Sequence, residues 1–319
     1  MGAYRVMFGM QSPAFLVAIP LLAALVVGII GLWKKEWSMP LFLTALLATV
    51  AAAVETLCRV LEQGQIIYYM SGWVPEPDEV PYGIEFAVDP FNAMVIVLIS
   101  VVGFLAAVHS SRIVEQEFPD KLPQYCTVYL LLMTGLIGMT VTGDAFNLYV
   151  FLEVTSLSMY ALIALGGGRA YIATFNYIVM GSIGACFYLL GVGYLYLKTG
   201  TLNMADLRER LISLDLYGSQ TVYLGYIFIM VGLWIKMALF PLHGWLPSAY
   251  NRAPNSVSSV IAPLATKVSV YIMLRVIFSI FTVQYVFIHL VWSDFVVFVA
   301  SVGIIAGSLC AFAQSELKR

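Results

Sequence analysis

Apolar runs about twenty residues long follow one another along this chain and leave it few ways to fold. They cover about 13–33, 39–61, 89–110, 124–143, 145–166, 170–197, 221–242, 255–281 and 293–314. A run of about twenty residues in a helix crosses the hydrocarbon core of a bilayer. No water is available there to pair with a backbone N–H or C=O, so each run must satisfy its own backbone as a helix. Composition agrees: 61% of the 319 residues are apolar, 11% are charged, and the mean hydropathy is +0.91. The chain is therefore predicted to be an all-α, polytopic membrane protein with about nine transmembrane helices. The opening MGAYRVMFGMQSP lacks the layout of a cleaved signal, and the first run is expected to stay as a span.

Orientation is read from the basic residues of alternate loops. One side holds Lys34, Lys35, Arg112, Lys121, Arg169, Arg252, Lys318 and Arg319, and the other holds Arg5, Lys198, Arg208 and Arg210. The richer set belongs on the cytoplasmic side, which puts the N-terminus outside and the last residue in the cytoplasm, across a cell inner membrane.

Several chemistries have no sequence support. A formal net charge of −2 gives no basic surface for nucleic acid. Cys58, Cys126, Cys186 and Cys310 form no CxxC pair, so neither a metal centre, an iron–sulfur framework nor a disulfide pattern is expected. Gly166-Gly167-Gly168 before Arg169 signals a loop and not a phosphate-binding fingerprint. No cofactor is expected in this chain.

Charges inside the runs are the functional candidates, because an ionisable group in hydrocarbon costs about 2.5–3.5 kcal/mol on insertion scales. Lys236 and Lys267 lie in the seventh and eighth runs on either side of a proline-rich break. Pro241 has no N–H and clashes with the carbonyl four residues back. It is expected to free the Met237 carbonyl and break the helix one turn after Lys236, leaving the lysine at the negative end of a half-helix. Discontinuous helices of this kind build ion sites in transporters. Pro263, one turn before Lys267, is expected to repeat the break. Glu153 is the sole charge of the fifth run, and Lys236 is its expected partner. His243 lies inside the break, where an imidazole is suited to passing a proton between the two lysines. His109 and His289 lie near span ends and read as interfacial.

Lesser features complete the chain. Glu55 and Arg59, at i and i+4, share a helix face as an ion pair or as part of a polar path. Residues 62–88 carry Glu62, Glu76, Asp78, Glu79 and Glu85 without a basic residue. QIIYYM and YGIEFAV flank a proline-rich turn there, which predicts an extramembrane hairpin. After the sixth run, Thr201 or Asn203 caps a short interfacial helix with Met204, Leu207, Leu211 and Leu214 on one face.

The run VFLEVTSLSMYALIAL, the pattern Lys236-x4-Pro241-Leu242-His243-x-Trp245-Leu246-Pro247 with Ala249-Tyr250 and Ala253-Pro254 after it, Ser256-Val257-Ser258 and the end AFAQSELKR together resemble one family. It is that of the antiporter-like proton-translocating subunits of Mrp cation/proton antiporters, complex I and membrane-bound hydrogenases. The resemblance covers the chain from about Met39, and a lysine at 267 is most similar to the D-type subunit of the Mrp antiporters and the N-type subunit of complex I. It implies a buried polar axis through Glu153, Lys236 and Lys267, and a five-helix inverted repeat formed by helices four to eight. The expected domains are 1–122 with the hairpin, 123–282 as the proton-translocating repeat, and 283–319 as the start of a second repeat. The family continues with the rest of that repeat: either the subunit is naturally short or split, or the sequence is a fragment. In either case another polypeptide is expected beside helices seven to nine. The implied function is a membrane subunit of a multi-subunit Na⁺ or K⁺/proton antiporter. The alternative is a proton-pumping subunit of a redox complex of NADH-quinone oxidoreductase or membrane-bound hydrogenase type. The implied partners are the other membrane subunits, the transported ions and lipid.

Overall fold

In the computed structural model, which describes residues 11–74, 80–81, 83–290, 292–316 and 318, the apolar runs are helices. They are α1 Ser12–Trp33, α2 Ser38–Gln63, α3 Pro90–Glu117, α4 Leu122–Val141, α5 Ala145–Ala164 and α6 Arg169–Thr199. Then follow α7 Met204–Ser213, α8 Gln220–Lys236, α9 Trp245–Arg252, α10 Asn255–Val276 and α11 Trp292–Phe312. Among the described residues eight helices are long and apolar enough to cross a membrane, and α8 is a shorter apolar helix of 17 residues. The seventh run is thus helical only as far as Lys236, and a second short helix, α9, starts just beyond it at Trp245, as a broken helix requires.

The acidic segment after α2 forms an antiparallel hairpin of β1 Ile66–Tyr69 and β2 Glu85–Val88, with Ile66 opposite Val88 and Tyr69 opposite Glu85. Its expected proline-rich turn, with Glu76, Asp78 and Glu79, lies outside the described residues. The hairpin is seated on the turn between α4 and α5. The N–H of Gly143 donates to the Glu85 carbonyl at 2.8 Å, and Phe86 bridges to Thr142. Asn203 is the cap of α7, its Oδ1 accepting from Ala205 N at 2.9 Å and Asp206 N at 3.1 Å. Met204, Leu207 and Leu211 form the buried face of that helix, while Leu214, expected to share it, is exposed beyond the helix end.

The described chain forms two compact units, one of residues up to Leu165 with Pro254–Leu264, the other of Gly166–Ala253 with Ala265 onward. The first part of α10 belongs to the first unit because Glu117 and Tyr125 hold it there, as described below.

In the first unit Phe42 packs edge-on against Tyr129 at 5.1 Å, and the Tyr129 hydroxyl donates to the Gly103 carbonyl at 2.6 Å. Asp89 and Asn92 form a reciprocal capping box on α3, at 2.9 and 2.8 Å. Asp144 caps α5 by accepting from Asn147 N at 2.6 Å. Burial raises the Asp144 carboxyl above its ordinary value of 3.8, against the opposing pull of the Asn147 and Phe146 N–H groups.

In the second unit α6 and α8 meet backbone to backbone. A Cβ on Gly232 would stand 2.6 Å from the Gly184 carbonyl oxygen, and one on Gly191 would stand 2.7 Å from that of Gly225. Lipid tails are as apolar as leucine, so helix association in a bilayer relies on close contact that small residues permit. Gly184 and Gly191 on α6 against Gly225 and Gly232 on α8 supply it, and they fix the helix that ends in Lys236.

Candidate functional site

The break that follows Lys236 is made by the helix end itself. Ala238 adopts φ 57°, its N–H donates to the Ile235 carbonyl at 3.2 Å, and the Leu239 N–H reaches back to the Trp234 carbonyl at 2.9 Å. This pair of bonds around a left-handed residue is a Schellman motif, which closes a helix without help from proline. The expectation that Pro241 ends the helix one turn after Lys236 is therefore corrected: α8 stops at Lys236, and Pro241 follows after a cis Phe240–Pro241 peptide inside a segment that has already turned. The indole N–H of Trp245, the first residue of α9, donates to the Ile235 carbonyl at 2.9 Å. The same indole stacks on Tyr177 of α6 with ring centroids 4.0 Å apart and planes 2° from parallel. The Ile235 carbonyl is thereby bonded from the far side of the break as well as by the Ala238 N–H.

Three of the four proposed path residues, Lys236, His243 and Lys267, belong to the second unit, and Glu153 belongs to the first. Lys236 is 6% exposed at the C-terminal end of α8, where the helix carbonyls favour a cation. His243 lies in the break, half-buried and stacked on Phe240 at 5.4 Å; its Nδ1 is shut off from solvent with no hydrogen-bond partner among the described residues. Lys267 is exposed on α10, so the expected buried axis is only partly buried within this chain. The reason is local: Val268 and Ser269 next to it face inward, while Pro263 and Lys267, four residues apart, share the outer side. Pro263 does not break its helix, a second correction, since α10 runs through it from Asn255 to Val276. A proline removes one rung and adds one clash, which membrane helices tolerate; no left-handed residue ends the helix there, as Ala238 does for α8. Tyr250 of α9 hydrogen-bonds Thr266, the neighbour of Lys267.

On α5, Glu153 is half-buried with Oε1 shut off from solvent, and Tyr160, two turns on, lies within its electrostatic reach. Glu55 and Arg59 form the expected pair, Nη2 to Oε1 at 2.5 Å, on the exposed side of α2. His109 is exposed; His289 closes a short helical turn, Tyr285–His289.

Two residues escaped the sequence reading. Arg275 is 9% exposed on α10, two turns beyond Lys267, and its Nη1 donates to the Tyr271 hydroxyl at 2.9 Å. It is a second charge in the apolar run that holds Lys267, and the cost argument that selected that lysine applies to it as well. Glu117, at the end of α3, accepts from Asn255 N at 3.1 Å, Ser256 N at 3.4 Å and Ser256 Oγ at 2.6 Å. It supplies the carboxylate cap of α10 from 138 residues away, and no local pattern around residue 255 announces it. Tyr125 adds a hydroxyl bond to the Ser256 carbonyl at 3.4 Å.

A buried lysine at the end of an interrupted apolar helix, set among helices long and apolar enough to span a bilayer, defines a multi-pass membrane protein that holds a charge within its spans. Residues 142–319 match the family described as NADH:quinone oxidoreductase/Mrp antiporter, TM, and the chain belongs to that family. It is 41% identical over 312 residues to NADH-quinone oxidoreductase subunit N of Desulforudis audaxviator, covering 96% of this chain and 60% of that protein. It is 32% identical over 305 residues to the D-type subunit of the Na(+)/H(+) antiporter of Bacillus subtilis, covering 95% and 59%. Its fold is similar to a chain of the membrane-bound sulfane sulfur reductase, an archaeal respiratory membrane complex, with a TM-score of 0.76 and 35% identity over 83% of this chain and 53% of that one. A chain of the Mrp complex from Dietzia sp. DQ12-45-1b matches with a TM-score of 0.73 and 27% identity, over 84% and 48%. The chain spans about three fifths of the length of these curated relatives.

Proposed function

We propose that this chain is a membrane subunit of a multi-subunit monovalent cation (Na⁺ or K⁺)/proton antiporter and carries protons along Glu153, Lys236, His243 and Lys267. Lys236 supports this reading most directly: it is an ammonium group buried to 6% exposure at the last turn of an interrupted apolar helix. A charge held there without a task is costly. While the Glu153 carboxylate stands near, the charged ammonium is favoured; when the carboxylate withdraws, the neutral amine is favoured and the proton moves on to His243. At an effective dielectric near 20, charges about 8 Å apart attract by roughly 2 kcal/mol. One charge crossing 100 mV changes energy by about 2.3 kcal/mol. The two terms are of the same size, so the switching of one ion pair supplies energy of the order that moving a proton against such a potential requires. Other membrane subunits complete the path beyond Lys267, the N-terminus lies outside a cell inner membrane, and the last residue is cytoplasmic.

A second reading, a proton-pumping subunit of a redox complex, is favoured by one observation: identity is higher to the quinone oxidoreductase subunit, 41%, than to the antiporter subunit, 32%. The discriminating experiment is proton flux in proteoliposomes of the purified complex. A Na⁺ or K⁺ gradient alone drives flux under the antiporter reading; flux only on addition of an electron donor replaces it with the second.

A further inference from the structure

The second unit has a long groove along α6 and the break that the proton path does not use. At one end is a cavity of about 220 Å³ lined by Arg169, Asn176, Ser248, Asn251 and Arg252 together with the apolar Ile172 and Ala173. At the other is a cavity of about 490 Å³ lined by Phe175, Val179, Met180, Pro241, Leu242 and Trp245. Asn176 lines both, so the two adjoin along α6, and all these residues belong to Gly166–Ala253. The chemistry changes along the groove from two guanidinium groups and amides to aliphatic and aromatic side chains.

Arg169 is the first residue of the 31-residue apolar α6, where a spanning helix meets the headgroup layer, and Arg252, the last residue of the short α9, lines the same cavity. Neither forms an ion pair with a described residue, and a guanidinium cannot discharge itself by losing its proton. Its planar fork suits phosphate oxygens. Beside them Ile172 and Phe175 are 65% and 63% exposed on the face of a spanning helix, where hydrocarbon is the surrounding medium. A free phosphate would match the arginines and leave the apolar half unfilled; a neutral lipid would match the apolar half and leave the two guanidinium groups unpaired, the Glu316 carboxylate at this end being held by the Asn251 amide. We infer that this groove binds one anionic phospholipid, its phosphate between Arg169 and Arg252 and an acyl chain over Pro241 and Leu242. The bound chain lies against Trp245, the residue that closes the break through the Ile235 carbonyl. This inference is independent of which ion or electron carrier drives the complex.

The test uses the intact complex in membranes that contain both phosphatidylglycerol and phosphatidylethanolamine. With benzoylphenylalanine in place of Phe175, irradiation should yield a phospholipid adduct, which mass spectrometry identifies as predominantly phosphatidylglycerol. Adding Arg169→Gln and Arg252→Gln should lower the preference for the anionic lipid by roughly thirtyfold, the equivalent of about 1 kcal/mol for each arginine. Inorganic phosphate added to neutral-lipid membranes should not compete with the phosphatidylethanolamine adduct. A crosslink to another polypeptide overturns the inference, as does a lipid adduct whose headgroup preference is the same with and without the two arginines.

Discussion

Lys236 and Asp144 are both charges held out of water, and their surroundings give them opposite consequences. Lys236 stands at the carbonyl end of α8, where the helix favours its charge, so its removal should strike transport harder than stability. Lys236→Ala is expected to abolish cation/proton exchange in proteoliposomes while the complex still assembles. Lys267→His is expected to retain part of the exchange, since an imidazole takes up and releases a proton near neutral pH. Full exchange in Lys236→Ala would reduce that lysine to a structural group. Asp144 has a carboxyl raised above 3.8, chiefly by burial. A carboxyl whose folded value is raised contributes stability that is fully present below 3.8 and is lost as the pH climbs through the folded value. At neutral pH the wild-type chain therefore keeps a half-buried carboxylate at a cost that Asn, an equally good cap, avoids. Asp144→Asn should raise the thermal midpoint of the complex at neutral pH, and the difference should narrow as the pH falls toward 3.8. A midpoint difference that does not change with pH would show that the carboxyl is not responsible.

The helices themselves were largely legible in the sequence, because twenty apolar residues in a bilayer have one solution, whereas the places where helices stop were not. Asn203 announced its cap through the polar residue before an amphipathic run, and Glu55–Arg59 followed from i, i+4 spacing. The end of α8 gave no such sign, since the left-handed position of its Schellman motif holds Ala238 where glycine is the usual occupant. Pro241 and Pro263 drew attention instead, and neither terminates a helix. The Glu117 cap of α10 depends on a fold that brings residues 138 apart together, which no local pattern encodes. Ala238 also yields a prediction. An alanine at φ 57° carries backbone strain of about 1 kcal/mol that a glycine does not, part of which is returned through the freer unfolded chain. Ala238→Gly should thus stabilise the break by a few tenths of a kcal/mol up to about 1 kcal/mol, read as a raised thermal midpoint of the purified complex. A lowered midpoint would mean that the alanine methyl makes packing contacts worth more than the strain.

At the scale of the whole molecule, what this chain exposes says what must face it. Lys267 is exposed on α10, and the most apolar stretch of α11 has no buried residue. Phe295, Phe298, Ile305 and Leu309 on α11 suit either lipid or protein. Lys267 does not share that freedom, because an ammonium turned toward hydrocarbon costs about 2.5–3.5 kcal/mol on insertion scales. Lipid offers it no hydrogen-bond acceptor within the core, and only a polar protein surface or a cavity that it lines does so. The curated relatives extend to more than one and a half times the matched length, which leaves ample chain in such proteins to form that surface. In the intact complex, Lys267 is therefore expected to be covered by another protein segment bearing polar side chains. The check is the rate at which a maleimide labels Lys267→Cys, compared between the complex and residues 1–319 purified alone, with the exposed Cys58, Cys186 and Cys310 replaced by serine in both. Labelling should be at least tenfold slower in the complex, since protein burial slows reagent access while detergent does not. Equal rates would mean that the lysine meets water or detergent in both settings, and the proton path would then have to end at Lys267.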